Sequence, residues 1–264
     1  MLAMRFSKST KKNPDVRDWT DRYGKKRNGQ FFADTLASWK KQKIGNGGLM
    51  AIGLIGQRDL PGHTLRTAQS LLRWDLRPSL WSHAFVIAGQ LNGRTNVLDL
   101  PLLEVALHPR TGEFPRPERN GVGEGTLRLY DNPKVDANVA LLAVTMSETE
   151  AKGLAKRART YNLDRVRYNL WDMLGVWQGH LWSHGMRPNP LRDGVPIAAS
   201  SYVEFIYEGI DLDLTPAASS RNSAPEHLWN AALWWHEAFK EQNRSIAGAC
   251  VLRDKGCSLL GADE

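Results

Sequence analysis

Residues 82–89 read Ser-His-Ala-Phe-Val-Ile-Ala-Gly, and this stretch decides the fold. Five consecutive apolar residues bounded by polar residues and a glycine are too few for a buried helix, so the run predicts a buried strand. Asn92-Gly93 separates it from a second extended stretch, Thr95 to Leu100, and an Asn-Gly pair between two such runs predicts a hairpin. Upstream, Gly48-Leu-Met-Ala-Ile-Gly-Leu-Ile55 reads as another buried strand bounded by glycines. Between the two, Leu65, Ala68, Leu72 and Leu76 recur at helical spacing, and Pro78 ends that pattern.

Downstream, residues 108–125 are rich in Pro, Gly, Arg and Glu and read as a surface loop, while 138–146 form another continuous apolar strand. Ser147 and Glu150 make a capping box for a helix whose apolar face carries Ala151, Leu154, Ala155 and Ala158. A second helix is predicted over 168–182, a loop with three prolines over 183–196, and a short helix over 200–208 with Val203, Ile206 and Tyr207 inward. Ser223 and Pro225 open a last long helix carrying Leu228, Ala232, Trp235 and Phe239. Strands followed by helices predict an α+β fold, an antiparallel sheet packed against helices. The expected organisation is a basic extension over 1–45, one domain over 46–243 and a tail over 244–264.

The chain has 264 residues, 42% hydrophobic and 24% charged, the composition of a globular protein. Its longest apolar run, 47–55, is far too short to span a membrane, so no transmembrane segment is expected. The N-terminal lysines lack an apolar stretch behind them, so no signal peptide is expected either; the chain is read as made in the cytoplasm. A net charge of +7 and a pI near 9.5 favour polyanionic surroundings. Much of that charge lies before residue 45, interleaved with Trp19, Tyr23, Phe31, Phe32 and Trp39. That pattern is read as a solvated arm rather than a base-stacking surface. No nucleic-acid motif accompanies it, so no specific nucleic-acid partner is expected. Cys250 and Cys257 build no disulfide framework, and neither stands at the head of a helix that would activate a thiolate.

Two segments carry chemistry: Ser82-His83 before a strand, and Ala199-Ser200-Ser201-Tyr202-Val203 at a helix opening. Together with the glycine-led strand at Gly48, the Arg167-to-Gly175 segment and the Ser223-Ala-Pro helix start, they resemble the circularly permuted NlpC/P60 group. That group includes YiiX-like proteins and lecithin–retinol acyltransferases, and its histidine precedes its cysteine in the chain. The resemblance spans roughly residues 47–230 and implies a papain-like fold. It implies a cysteine peptidase or amidase in which His83 serves as general base and position 199 holds the nucleophile. A thiolate at a helix N-terminus gains from free N–H groups and the helix dipole. His83 would take its proton, and Asp99 falls where the family places the polar partner of the histidine, with Glu104 in reserve. Backbone N–H groups at Ser200, with Tyr168, would meet the oxyanion.

Here the nucleophile position is alanine, so the chain as it stands cannot form an acyl-enzyme. Either a cysteine has been replaced or the chain is a non-catalytic relative. The resemblance implies a peptidoglycan-stem endopeptidase, delivered by a secretion apparatus as an antibacterial effector to the target periplasm and countered by an immunity protein. An acyltransferase or deamidase on the same fold, and a binding pseudoenzyme, are the alternatives. Plain structural roles stand beside each assignment: His83 as a core histidine, Asp99 as a turn cap, Tyr168 as packing. His180 and His184 have the spacing of paired zinc ligands, but no third ligand accompanies them, and no metal or cofactor is expected.

Overall fold

A computed structural model describes residues 18–19, 26–91, 94–99, 123–163, 178, 199–216, 218–241 and 243–260. Seven strands, β1 (Asp18–Trp19), β2 (Ile52–Gln57), β3 (His83–Leu91), β4 (Arg94–Asp99), β5 (Gly123–Thr126), β6 (Asp136–Val144) and β7 (Ile246–Leu252), form one sheet. Their order is β1-β7-β6-β2-β3-β4-β5, antiparallel throughout except for β1 beside β7. The helices are α1 (Asn28–Gln42), α2 (Leu60–Ala68), α3 (Glu148–Leu163), α4 (Ala199–Tyr207), α5 (Pro225–Trp234) and α6 (His236–Glu241). The chain is thus an α+β protein, with an antiparallel sheet at its centre and helices on both faces.

Burial on two faces explains the unbroken apolar runs, since successive residues of a strand point to opposite sides and both sides are dry. On one side Ile55, Phe85, Ile87, Val139, Leu141 and Val251 pack beneath Phe31, Phe32, Leu36 and Trp39 of α1. On the other side Leu54, Ala84, Val86, Ala88, Leu142 and Cys250 pack beneath α3, α4 and α5. A glycine-rich turn joins α1 to β2 with positive φ at Gly45, Asn46, Gly47 and Gly48, conformations that glycine adopts at no steric cost. A Cβ on Gly48 would also lie 2.3 Å from Leu36 Cδ2. In the middle of β2, Gly53 leaves the space that the Phe85 ring fills; a Cβ there would lie 2.1 Å from Phe85 Cζ.

Several expected boundaries need correcting. Residues 28–42 are not part of a solvated extension: four large apolar side chains of α1 are buried, while Lys40 and Lys41 point outward. Nor is 244–264 a tail, because β7 pairs with β6 along seven residues and completes both cores. The last helix is broken at Trp235, which is exposed rather than inward, and a strand closes the order of elements. Asp59, whose side chain accepts from Gly62 N–H, starts α2 five residues earlier than the leucine spacing implied. The capping box forms as expected: Ser147 N–H donates to Glu150 Oε2 at 2.7 Å and Glu150 N–H to Ser147 Oγ at 3.2 Å. Cys250 and Cys257 are both free and buried.

One buried ion pair ties α2 to the chain beyond β7. Arg66, fully buried, donates to Asp254 Oδ2 at 2.7 Å, to the Asp254 carbonyl at 2.9 Å and to the Ser79 carbonyl at 2.8 Å. Asn138 of β6 joins this network, donating to the Asp254 carbonyl and accepting from the Arg253 and Asp254 N–H groups. Removing one partner strands a charge in the interior, so Arg66→Ala is expected to lose about 3–5 kcal/mol in urea unfolding. The Arg66→Met/Asp254→Asn double variant, with both charges gone, is expected to lose less than Arg66→Ala.

Candidate functional site

His83 opens β3 directly opposite Ile55, and Ile55 is in turn opposite Val139. Its side chain therefore lies on the α1 side of the sheet with Phe85 and Ile87. The imidazole is 9% exposed; its ring centroid is 5.9 Å from that of Tyr130, which stacks on Phe85 at 4.7 Å. Ser82 fixes the strand head by accepting from Gln57 N–H at 3.0 Å and donating to the Ile55 carbonyl at 3.2 Å. Gln57 Nε2 also donates to Asp136 Oδ1 at 3.4 Å. Burial, opposed by that hydrogen bond, pushes the Asp136 carboxyl up to about 6, and the charges of Asp59 and His83 act on it in opposite directions. His83, Tyr130, Gln57 and Asp136 thus make one buried polar cluster at this end of the sheet.

Ala199 opens α4 on the other face. It packs in the core shared by Ala84, Val86 and Ala88, whose small side chains let the helix lie close to the sheet. The two serines after it are occupied: Ser200 Oγ donates to the Ser223 carbonyl at 2.5 Å and Ser201 Oγ to the Arg221 carbonyl at 3.0 Å. Further along, Tyr202 donates to the Ala158 carbonyl and Tyr207 to the Met50 carbonyl, so α4 is anchored at several points. His227 in the first turn of α5 accepts from Ala224 N–H at 3.2 Å, which suits a neutral imidazole; burial pushes it down to about 4. Trp81 and Trp229 pack nearby with ring centroids 4.9 Å apart and planes tilted by 58°.

The structure therefore does not bring the expected pair together. His83 and position 199 lie on opposite faces of the sheet, and among the described residues Asp136 is a carboxylate whose charge couples to that of His83. Asp99 ends β4 opposite Gly123, and its side chain lies outside the described residues, as do Glu104, Tyr168, His180 and His184. Ser200 Oγ serves as a structural clasp on the 220–223 turn. Among the described residues no cluster of His, Cys, Asp or Glu could hold a metal ion. No protein-family model, no curated protein and no solved structure matches the chain.

Besides Glu226 and Asp254, two further buried carboxyls, Asp136 and Glu204, escaped the sequence reading. Asp136 had a signal, an acid heading an otherwise apolar strand. Glu204 also had one, an acid one residue from Val203 on a helix that is buried nearly all round. Glu204 Oε1 accepts the N–H groups of Leu214 and Thr215 at 2.9 and 3.3 Å, holding the turn after α4. Burial first, then the adjacent Asp213, raise its pKa from 4.5 to about 8. The folded state thus binds this proton more tightly than the unfolded chain, and the associated stability is present below about pH 4.5 and lost as pH rises to about 8. Glu204→Gln keeps the accepting oxygen without the charge. Thermal melts should show it close to the parent at pH 5 and more stable than the parent at pH 9.

Proposed function

We propose that the chain is a non-catalytic, ligand-binding relative of the permuted NlpC/P60 proteins, using a papain-like sheet and helix for recognition rather than bond cleavage. The observation that carries this reading is the separation of His83 from position 199 by the thickness of the sheet, at a position that is itself alanine. Neither neighbouring serine stands in for the missing sulfur, since both hydroxyls are committed to backbone carbonyls. The class of ligand that the resemblance suggests is a peptide, with the stem peptide of bacterial cell wall first among them. A net charge of +7 favours an anionic wall polymer as its setting.

One observation favours a second reading, the thiol hydrolase whose cysteine has been replaced. Ala199 is the first residue of a helix with a firmly held N-terminus, where a thiolate would be stabilised. In that reading the protein is an exported effector with an immunity protein as partner.

Alkylation of an Ala199→Cys variant near pH 6, with Cys250 and Cys257 replaced by alanine, separates the two. The binding-protein reading expects slow alkylation that His83→Ala leaves unchanged, and stem peptides that are bound but stay whole. Alkylation at least about tenfold faster than that of an ordinary thiol, lost on His83→Ala, would establish the hydrolase instead.

A further inference from the structure

Between α2 and β3, residues 71–76 turn Arg73 and Asp75 toward the domain and Leu71, Trp74 and Leu76 toward the outside. After α2, residues 69–72 make a tight 3₁₀ turn, and two further turns follow, Arg73 N–H to the Ser70 carbonyl at 3.1 Å and Leu76 N–H to the Arg73 carbonyl at 3.2 Å. Arg73 grips Asp75 with two hydrogen bonds of 2.9 and 2.8 Å and reaches buried Glu226 of α5 at 3.4 Å. Asp75 also accepts Arg77 N–H at 3.1 Å, and Glu226 accepts the Ser79 hydroxyl at 2.6 Å. The segment is thus braced against the domain by its ionic side chains. Leu71, Trp74 and Leu76 are left on the outside, 47%, 87% and 66% exposed.

No other large apolar side chain among the described residues is as exposed as Trp74. Leu76 moreover holds φ at 54°, a left-handed conformation that is unfavourable for a leucine and would suit glycine. A folded protein gains nothing within itself from a strained leucine beside a bare indole. Such strain persists where it serves a contact. We propose that residues 71–77 dock on an anionic lipid surface, with Trp74 and Leu76 entering the boundary between headgroups and acyl chains.

The chemistry fits that partner better than its rivals. An indole with a polar edge prefers the membrane interface, and flanking leucines add the apolar depth that a nucleic-acid surface would not use. Asp75 is paired with Arg73 and meets Arg77 through that residue's backbone N–H, so the exposed Arg77 side chain is the positive group in the same turn as Trp74 and Leu76. The chain as a whole is positive by seven. Among the described residues no helix is long and apolar enough to cross a membrane, so the contact is one of adsorption rather than insertion. The inference does not depend on whether position 199 acts in binding or in catalysis.

The test is co-sedimentation of the full chain with vesicles of phosphatidylcholine alone and with vesicles of phosphatidylcholine mixed with phosphatidylglycerol, whose negative surface potential attracts basic groups. The parent is expected to partition onto the anionic vesicles and only weakly onto the neutral ones. Trp74→Ser/Leu76→Ser should reduce that partitioning on the order of tenfold. Both side chains are exposed, so the melting temperature should be unchanged. Trp234→Ser/Trp235→Ser, which removes two exposed tryptophans elsewhere, should leave partitioning intact. The proposal is overturned if the parent does not bind the anionic vesicles, or if Trp74→Ser/Leu76→Ser binds them equally well. It is also overturned if that variant instead abolishes a lipid-independent dimer or oligonucleotide binding while vesicle binding is absent.

Discussion

The register between β2 and β3 governs everything else in this molecule. Ile55 opposite His83, and Gly53 opposite Phe85, decide which side chains meet α1 and which meet α3, α4 and α5. A slip of one residue would send Phe85 into the space shaped for Ala84 and exchange every layer of both cores. Gly53 guards against that slip, because only where the strand carries no Cβ can the Phe85 ring lie flat across it. The same register fixes the chemistry, since His83 inherits the face of Phe85 and its neighbours become Tyr130, Gln57 and Asp136.

Both ends of the sheet are then secured by polar groups that have no water to turn to. At one end Arg66, Asn138 and Asp254 satisfy one another and bind the last segment of the chain to α2. Around α4 the device is different: hydroxyls of Ser200, Ser201, Tyr202 and Tyr207 each seek a distant carbonyl, and Glu204 collects two N–H groups. These contacts define a single position for the helix, which apolar packing on Ala84, Val86 and Ala88 would leave free to slide. A helix held at so many points suits a surface that recognises a shape.

The architecture was largely legible in the residues. The buried strand at 83, its hairpin, the strand at 138 and the Ser147–Glu150 box all follow from short-range rules, because turn chemistry and capping act within a few residues. Helix α1 was hidden by the basic residues at its ends, Lys25, Lys26 and Arg27 before it and Lys40, Lys41 and Lys43 at its close, which draw the eye from the Phe31, Phe32, Leu36 and Trp39 stripe. Strand β7 was hidden by its place after a run of helices. The site was hardest to read for a definite reason. A strand dry on both faces shows no alternation of polar and apolar residues, so Ala84-Phe85-Val86-Ile87 carries no mark of the side that His83 joins. Only the pairing with Ile55, 28 residues away, supplies that information.

The placement of β7 has a consequence for how the protein comes into being. It lies between β6 and β1, so a strand at residues 18–19 finds its partner only when residues 249–250 have been made. On the ribosome, β6 must wait roughly 10 s with one edge open while the intervening chain is synthesised. That edge belongs to a strand all nine residues of which end up buried. A nascent chain in this state offers an uncapped template to any other strand, including the same segment of a neighbouring nascent copy. Crowded translation should therefore be the circumstance in which this protein is most easily lost to aggregation, and shielding of β6 during synthesis the step on which its yield depends.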